Sequence, residues 1–401
     1  MTQNTYANWA HTLMHHSIGN QLHNQSKSLE DARILIQGET ISEPLMLAVE
    51  EAAVKAGARP LVLPFFSNCN RRNPFISKSV LDFGERNSFK GYLPESITAL
   101  YKEMDGFVTI LGTQNPFVYK NNIKGAKKIR EVALPLTNIR TTESAWVLTK
   151  FPTPAEAALE QLDFETYAQL LQSASCVDYD AMRDSQKDLA TLLDATSEIE
   201  LRTYNPKTNN ILSLGMQKGM NTAKNCFGLR NVPDGEVFTS PYPQSIEGEI
   251  YLDVPIINVD IIQGVYLKFQ NGKIVSYSAD VGQKQLQTIV ETDEGSHSLG
   301  EFALGTNVKV PSGLKEILFA EKIGGSIHLA IGSSYDEPYP TLQGLSTEEK
   351  DVERKKLVTG GLYNESAQHV DIPKSFIGAK PDEGVFFDGQ RISWKGDRWD
   401  Y

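Results

Sequence analysis

Residues 33–65 read RILIQGETISEPLMLAVEEAAVKAGARPLVLPF, and this run sets the fold class. RILIQ, 33–37, is an apolar segment of strand length. EPLMLAVEEAAVKA, 43–56, is an amphipathic helix with Pro44 in its first turn and Gly57 as its stop signal. PLVLPF, 60–65, is the next strand. Working outward, the same alternation continues. A helix near 94–103 precedes the strand GFVTILG, 106–112, and a helix near 124–132 precedes the strand SAWVLTKF, 144–151. Strands separated by helices of this length form βαβ units and a parallel sheet, so the N-terminal half is expected to be an α/β domain with a mostly parallel sheet. Ligands of such sheets sit at the carboxyl ends of strands, here Gly38-Glu39-Thr40 and Gly112-Thr113-Gln114. Neither is a GxGxxG fingerprint or a phosphate loop, so no nucleotide site is supported.

Residues 155–200 read as helical throughout, a bridge between halves. From about 201 the pattern becomes short and alternating: EVFTS, EGEIYLDVP, GVYLKF, KIVSYSA. GVYLKFQ and KIVSYSA flank Asn271-Gly272, and GVFF and QRISW flank Asp388-Gly389. Both dipeptides suit the two-residue type I′ turn of a hairpin. With one helix near 283–292, the C-terminal half is expected to be a β-rich α+β domain, and the predicted domains are 1–200 and 201–401. STEEKDVERKK, 346–356, is an exposed loop or short helix, because a charge run is usually solvated surface.

The chain has 401 residues, enough for two domains, with 40% hydrophobic and 22% charged residues as in ordinary globular proteins. A formal net charge of −11 argues against nucleic acid or an anionic membrane as the main partner. The cysteines, Cys69, Cys176 and Cys226, are odd in number, far apart and without a CxxC pair. That argues against a disulfide framework or thiolate zinc knuckle and points to a reducing compartment. The N-terminal run lacks a basic head and apolar stretch, and no apolar run approaches the ~18 residues of a membrane helix. A cytoplasmic protein is expected.

The seven histidines fall into two groups. His11, His15, His16 and His23 lie in a helical stretch with no acidic residue to complete a metal site, and read as polar helix surface. The second group is His297, His328 and His369. His369-Val370-Asp371 puts an imidazole and a carboxylate at i and i+2, on one side of an extended segment. His328 sits in the apolar, small-residue run GGSIHLAIGSSY, where a histidine is buried. Glu236 opens an apolar strand after a Pro-Asp-Gly turn, and Glu301 follows Leu-Gly and precedes Phe-Ala-Leu. Carboxylates so flanked are costly to bury unless paired or metal-bound. Three carboxylates and two imidazoles suit Zn²⁺, Co²⁺ or Mn²⁺ in a two-metal hydrolytic site, with one carboxylate bridging. Glu247, Glu249, Asp293, Glu294 and His297 read first as surface or turn residues; Asp293 and Glu294 are second-choice partners for an imidazole N–H, and His297 is the reserve ligand.

GEVFTSP (235–241), TDEG…LGEFAL (292–304), HLAIGSSY (328–335) and HVD (369–371) occur in that order. As a set they resemble the motif series of the aminopeptidase T-type metallo-aminopeptidases, the thermophilic-aminopeptidase family. YANWA near the start, AVEEAAVKAGARP and KFPTPAEA extend the resemblance over essentially the whole chain. It implies Glu236, Glu301, His328, His369 and Asp371 as metal ligands, two divalent ions (Zn, Co or Mn), and Tyr335 in the active site. It also implies Glu301 as bridging ligand or base, peptide substrates, and a homodimer with an enclosed cavity. Hydrolysis of N-terminal residues from peptides is the expected activity. Another metal-dependent amidohydrolase, a deacylase or dipeptidase, is the first alternative. A binding protein with a decayed site is the second.

Overall fold

The computed structural model describes residues 3–65, 69–70, 73–77, 93–115, 132–257 and 260–401. They group into two compact units, Met1–Val177 with Gly228–Asp234, and Asp178–Phe227 with Gly235–Tyr401.

The first unit is built on a five-stranded parallel sheet. In spatial order its strands are Asn231–Val232, Ala145–Lys150, Gly106–Leu111, Arg33–Glu39 and Arg59–Phe65. The helix Glu43–Lys55 packs against the last two. It buries Leu45, Met46, Val49 and Ala53, one stripe at helical spacing, and ends at Gly57 with a left-handed φ of 80°. Ile34 to Glu39 are all buried, as a parallel strand covered on both faces must be. The edge strand Asn231–Val232 comes from late in the chain. Leu148 N–H donates to the Arg230 carbonyl at 2.7 Å, and the Thr149 hydroxyl to that of Val232 at 2.7 Å. The helix expected near 124–132 lies almost wholly outside the described residues.

The segment 155–200 is not one helical run. It forms helices Pro154–Glu160, Phe164–Ser175 and Tyr179–Ala195, and a strand begins at Glu198. The reason is local: in EIELRTYN, Ile199, Leu201, Thr203 and Asn205 are buried and the residues between them are not, a period of two. This strand joins a large antiparallel sheet that includes both hairpins. Asn271 (φ 49°) with Gly272 (φ 74°), and Asp388 (φ 48°) with Gly389 (φ 81°), have the paired positive φ that type I′ turns require. The charged run becomes the helix Thr347–Thr359, capped by reciprocal Ser346 and Glu349 hydrogen bonds, with no buried residue.

A second antiparallel sheet of the same unit carries the chemistry. Its order is His369–Ser375, Ser326–Gly332, Leu299–Gly305, Glu236–Thr239 and Lys224–Cys226. Every residue of Ser326–Gly332 and Leu299–Gly305 is buried. Sheet strands covered on both faces are normally apolar, so Glu301 and His328 stand out.

Gly332 ends the His328 strand at φ 113°, and a Cβ there would lie 2.2 Å from the Gln368 carbonyl oxygen. Gly389 also has positive φ, but a Cβ there meets nothing within 4 Å. Gly332→Ala is therefore expected to destabilise this unit by about 3 kcal/mol or more, and Gly389→Ala by only about 1 kcal/mol. Thermal melts of both variants check the ranking; equal losses would contradict it.

Candidate metal centre

Strand register places the five predicted ligands on one sheet face. His328, Ala330 and Gly332 alternate along the central strand and share a side. Glu301 and Asp371 both lie opposite Ala330, from the two flanking strands, and His369 lies opposite Gly332. Glu236 pairs with Gly305, two residues from Ala303, which is opposite His328. Each predicted ligand other than His328 thus faces an alanine or glycine, and His328 has Ala303 on one side. Small partners leave the space above the sheet for acidic and imidazole groups.

The side chains converge in that space. His328 Nε2 is 2.9 Å from Glu301 Oε1, 3.5 Å from Glu236 Oε2 and 3.9 Å from Asp371 Oδ1. His369 Nε2 is 3.2 Å from Asp371 Oδ1 and 3.7 Å from Glu301 Oε2. Both rings are oriented from behind. Nδ1 of His328 lies 3.1 Å from the Glu321 carbonyl oxygen, and Nδ1 of His369 lies 2.7 Å from that of Ser333. A carbonyl only accepts, so each Nδ1–H donates and each Nε2 faces the carboxylates, the arrangement that presents an imidazole to a metal.

Two further residues, unsuspected from sequence, complete the cluster. Glu321 and Lys322 follow the four-residue helix Ile317–Ala320. The buried Lys322 ammonium lies 2.6 Å from Glu236 Oε1 and 3.0 Å from Glu321 Oε1. Their only sequence signal was an acid–base pair inside the otherwise apolar run ILFAEKIGG.

The electrostatics follow from crowding. Burial works against charge on both imidazoles, but the surrounding carboxylates outweigh it. Glu301, Glu236 and Asp371 hold His328 up at about 9, and Asp371 with Glu301 holds His369 at about 10. Burial also pushes Glu301 up and Glu321 well above the ordinary carboxylate range. Asp371 is held well below that range, because His369 and His328 overcome its desolvation.

Glu236 Oε2, Glu301 Oε2 and Asp371 Oδ1 are buried and accept no hydrogen bond. Leaving a buried acceptor unsatisfied costs on the order of 1–3 kcal/mol, more when it is charged. A cation among these oxygens would remove that penalty, and the mixed oxygen and nitrogen donors suit a first-row divalent ion. The residues therefore fit a metal. They form two groups whose ligand atoms lie within 4.8 Å of one another, Glu236–Glu301–His328 and Glu301–His369–Asp371.

The sequence model of the family described as thermophilic metalloprotease (M29) matches residues 3–392. The chain belongs to this metalloprotease family. Aminopeptidase AmpS of Bacillus subtilis (strain 168) is 38% identical over 169 residues, a stretch covering 41% of this chain and 38% of AmpS. The structure resembles wild-type AmpT from Thermus thermophilus with a TM-score of 0.71 at 19% identity, over 99% of both chains. It also resembles 2,5-dihydroxypyridine dioxygenase from Pseudomonas putida KT2440, with a TM-score of 0.55 at 13% identity over 99% and 98% of the two chains. At these identities the two structures speak for the fold alone. Membership in a metalloprotease family implies a divalent metal cofactor.

Other candidates in this metalloprotease-family chain play different parts. Among the described residues Asp293 bonds to no imidazole. It accepts from Ser296 N–H and hydroxyl, Ser366 hydroxyl and Ala367 N–H, tying the turn before Glu301 to the segment before His369. Glu294 is exposed, with Lys273 3.9 Å away. His297, in a 3-10 turn, joins no acid–imidazole group among the described residues. Glu247 accepts from the Asn271 N–H of the first hairpin, and Glu249 pairs with Lys268 at 2.8 Å. The His11 and His15 rings stack at 4.5 Å and likewise join no such group among the described residues.

With protons as their only cations, both imidazoles are charged near neutral pH, and an arriving ion must displace those protons. Binding should weaken as pH falls below 9 and strengthen as it rises toward 10. Calorimetric Zn²⁺ titration in buffers of different ionisation enthalpy should report release of about one proton or more per ion at neutral pH. Heats independent of the buffer would refute protonated imidazoles.

Proposed function

We propose that this protein is a metal-dependent aminopeptidase that releases N-terminal residues from peptides, with two divalent ions (Zn²⁺, Co²⁺ or Mn²⁺) held by Glu236, Glu301, His328, His369 and Asp371. The observation that carries this reading is that the two buried ligand groups share Glu301. A carboxylate has two oxygens and could serve both groups, which favours Glu301 as a shared ligand over Glu301 as the base. The name of AmpS, an aminopeptidase, supports the choice of substrate. Bound divalent ions supply Lewis acidity toward the scissile carbonyl and make water acidic enough to serve as nucleophile near neutral pH.

The remaining steps belong to side chains. Glu321 stands in neither ligand group, yet its carboxylate lies in the same buried cluster, 3.0 Å from the Lys322 ammonium, and burial raises its affinity for a proton. It is the group suited to take a proton from the attacking water and pass it to the leaving amine. Tyr335 marks the open side of the centre, with 45% of its surface exposed. Its ring lies 4.3 Å from that of His369 and meets Phe238 edge-on at 6.2 Å. From there its hydroxyl would donate to the oxyanion of the tetrahedral intermediate, a contribution of about 3 kcal/mol. The reading extends to a cytoplasmic homodimer. Free thiols at Cys176 and Cys226 support a reducing compartment, and no described helix is long and apolar enough to cross a membrane.

Leucine p-nitroanilide should be hydrolysed, the activity should vanish on chelation, and Co²⁺ or Zn²⁺ should restore it. The N-acetylated substrate should be inert, since an aminopeptidase needs the free amine. Cleavage of the acetylated compound would move the protein to the deacylases. Asp371→Ala should lower kcat/KM by on the order of 10³-fold or more, with loss of metal. Glu321→Gln should lower kcat by about 10²–10⁴-fold with metal content unchanged. A fully active Glu321→Gln variant would remove the proton-carrier role.

A further inference from the structure

Lys322 is out of place in a cation site. Its ammonium is buried, 1% exposed, and lies 2.6 Å from Glu236 Oε1 on the Glu236–Glu301–His328 side. The backbone of its segment is pinned. Lys322 N–H donates to Phe319, Asn307 N–H to the Lys322 carbonyl, Gly324 N–H to Asn307 and Gly325 N–H to Gly305, all at 3.0–3.2 Å. The Gly305 and Asn307 ends of these bonds continue the strand that carries Glu301, so the ammonium is held by the same scaffold as the ligands. The two ligand groups also differ in access. Side chains of Glu236 and His328 are 7% and 1% exposed, those of His369 and Asp371 14% and 13%. The lysine therefore sits at the deep group, and the open group lies toward solvent beside Tyr335.

We propose that the Lys322 ammonium is a built-in competitor for the deep metal position, so that the centre fills unequally: one ion is held tightly by Glu301, His369 and Asp371, and a second is admitted only as the ammonium withdraws from Glu236. The proposal rests on the metal-centre reading above and adds the order and inequality of filling. The physical cause is repulsion. An ammonium and a dication a few ångströms apart, both shielded from water, oppose each other strongly. Glu236 Oε1, shared with the ammonium, is also a poorer donor to any ion. The opposite arrangement has the opposite sign: a lysine that merely orients Glu236 would strengthen the deep position.

The test is metal stoichiometry, read without turnover. Apoprotein is titrated with Co²⁺ and followed by visible d–d absorption and by equilibrium dialysis with elemental analysis. Wild type should bind one ion tightly, with the second at least about a hundredfold weaker. Lys322→Met should bind two with similar affinity. Glu236→Gln should keep the single tight ion, because Glu236 is not part of the Glu301–His369–Asp371 group; loss of that ion overturns the proposal. Two equal ions in wild type overturn it too, whether or not Lys322→Met folds, and leave the metal-centre reading standing. A second ion that binds more weakly in Lys322→Met than in wild type overturns it in favour of an orienting lysine. Failure of wild type to bind Co²⁺ at all removes both the proposal and the metal-centre reading beneath it.

Discussion

Four carboxylates, those of Glu236, Glu301, Glu321 and Asp371, share one buried pocket above a β-sheet, and their mutual repulsion is the constraint the surrounding structure answers. Buried charges of one sign persist only with positive charge or protons among them. The protein supplies three resident cations, Lys322, His328 and His369, and fixes each from outside the pocket. Backbone carbonyls hold the imidazoles, and strand-like hydrogen bonds hold the lysine segment. Alanines and glycines opposite the acidic positions make the room. What the resident cations leave unsatisfied, three carboxylate oxygens without donors, is the part an external ion can meet.

Most of the architecture was legible where a periodicity or a turn dipeptide spoke. The βαβ alternation gave the parallel sheet, and Asn271-Gly272 and Asp388-Gly389 gave hairpins, because few dipeptides tolerate two positive φ values in succession. The strand that begins at Glu198 was not legible: only Thr196 and Ser197 separate it from the helix Tyr179–Ala195 of the same unit, and the polar alternation of EIELRTYN passes for helix surface. The convergence of His369 with Asp371 was legible because strand geometry alone puts them on one side. Glu321 and Lys322 were not, since they leave a short helix into a turn where no period applies. Asp293 shows the converse. Its acidity and neighbourhood allowed an imidazole partner beside a turn role, and it is the turn role it fills, since donors on Ser296, Ser366 and Ala367 claim both oxygens.

Fold and chemistry separate cleanly in this molecule. A dioxygenase shares the overall chain path, so neither sheet dictates a hydrolytic reaction. The information about chemistry lies in a handful of side chains on one sheet face and in the turn that brings Glu321 and Lys322 to them. Chemistry can therefore change within the same frame by exchanging residues opposite Ala303, Ala330 and Gly332, without disturbing the ladder that holds the strands.

The parallel sheet of the first unit has its own implication for how the chain is made. Its edge strand, Asn231–Val232, is synthesised long after the neighbour it covers, Ala145–Lys150. On a translating ribosome the nascent sheet therefore keeps an open border while Asp178–Phe227 of the next unit is polymerised. Open strand borders invite pairing with other chains. The stretch of synthesis between residues 150 and 231 is thus the interval in which the Ala145–Lys150 border has no covering strand.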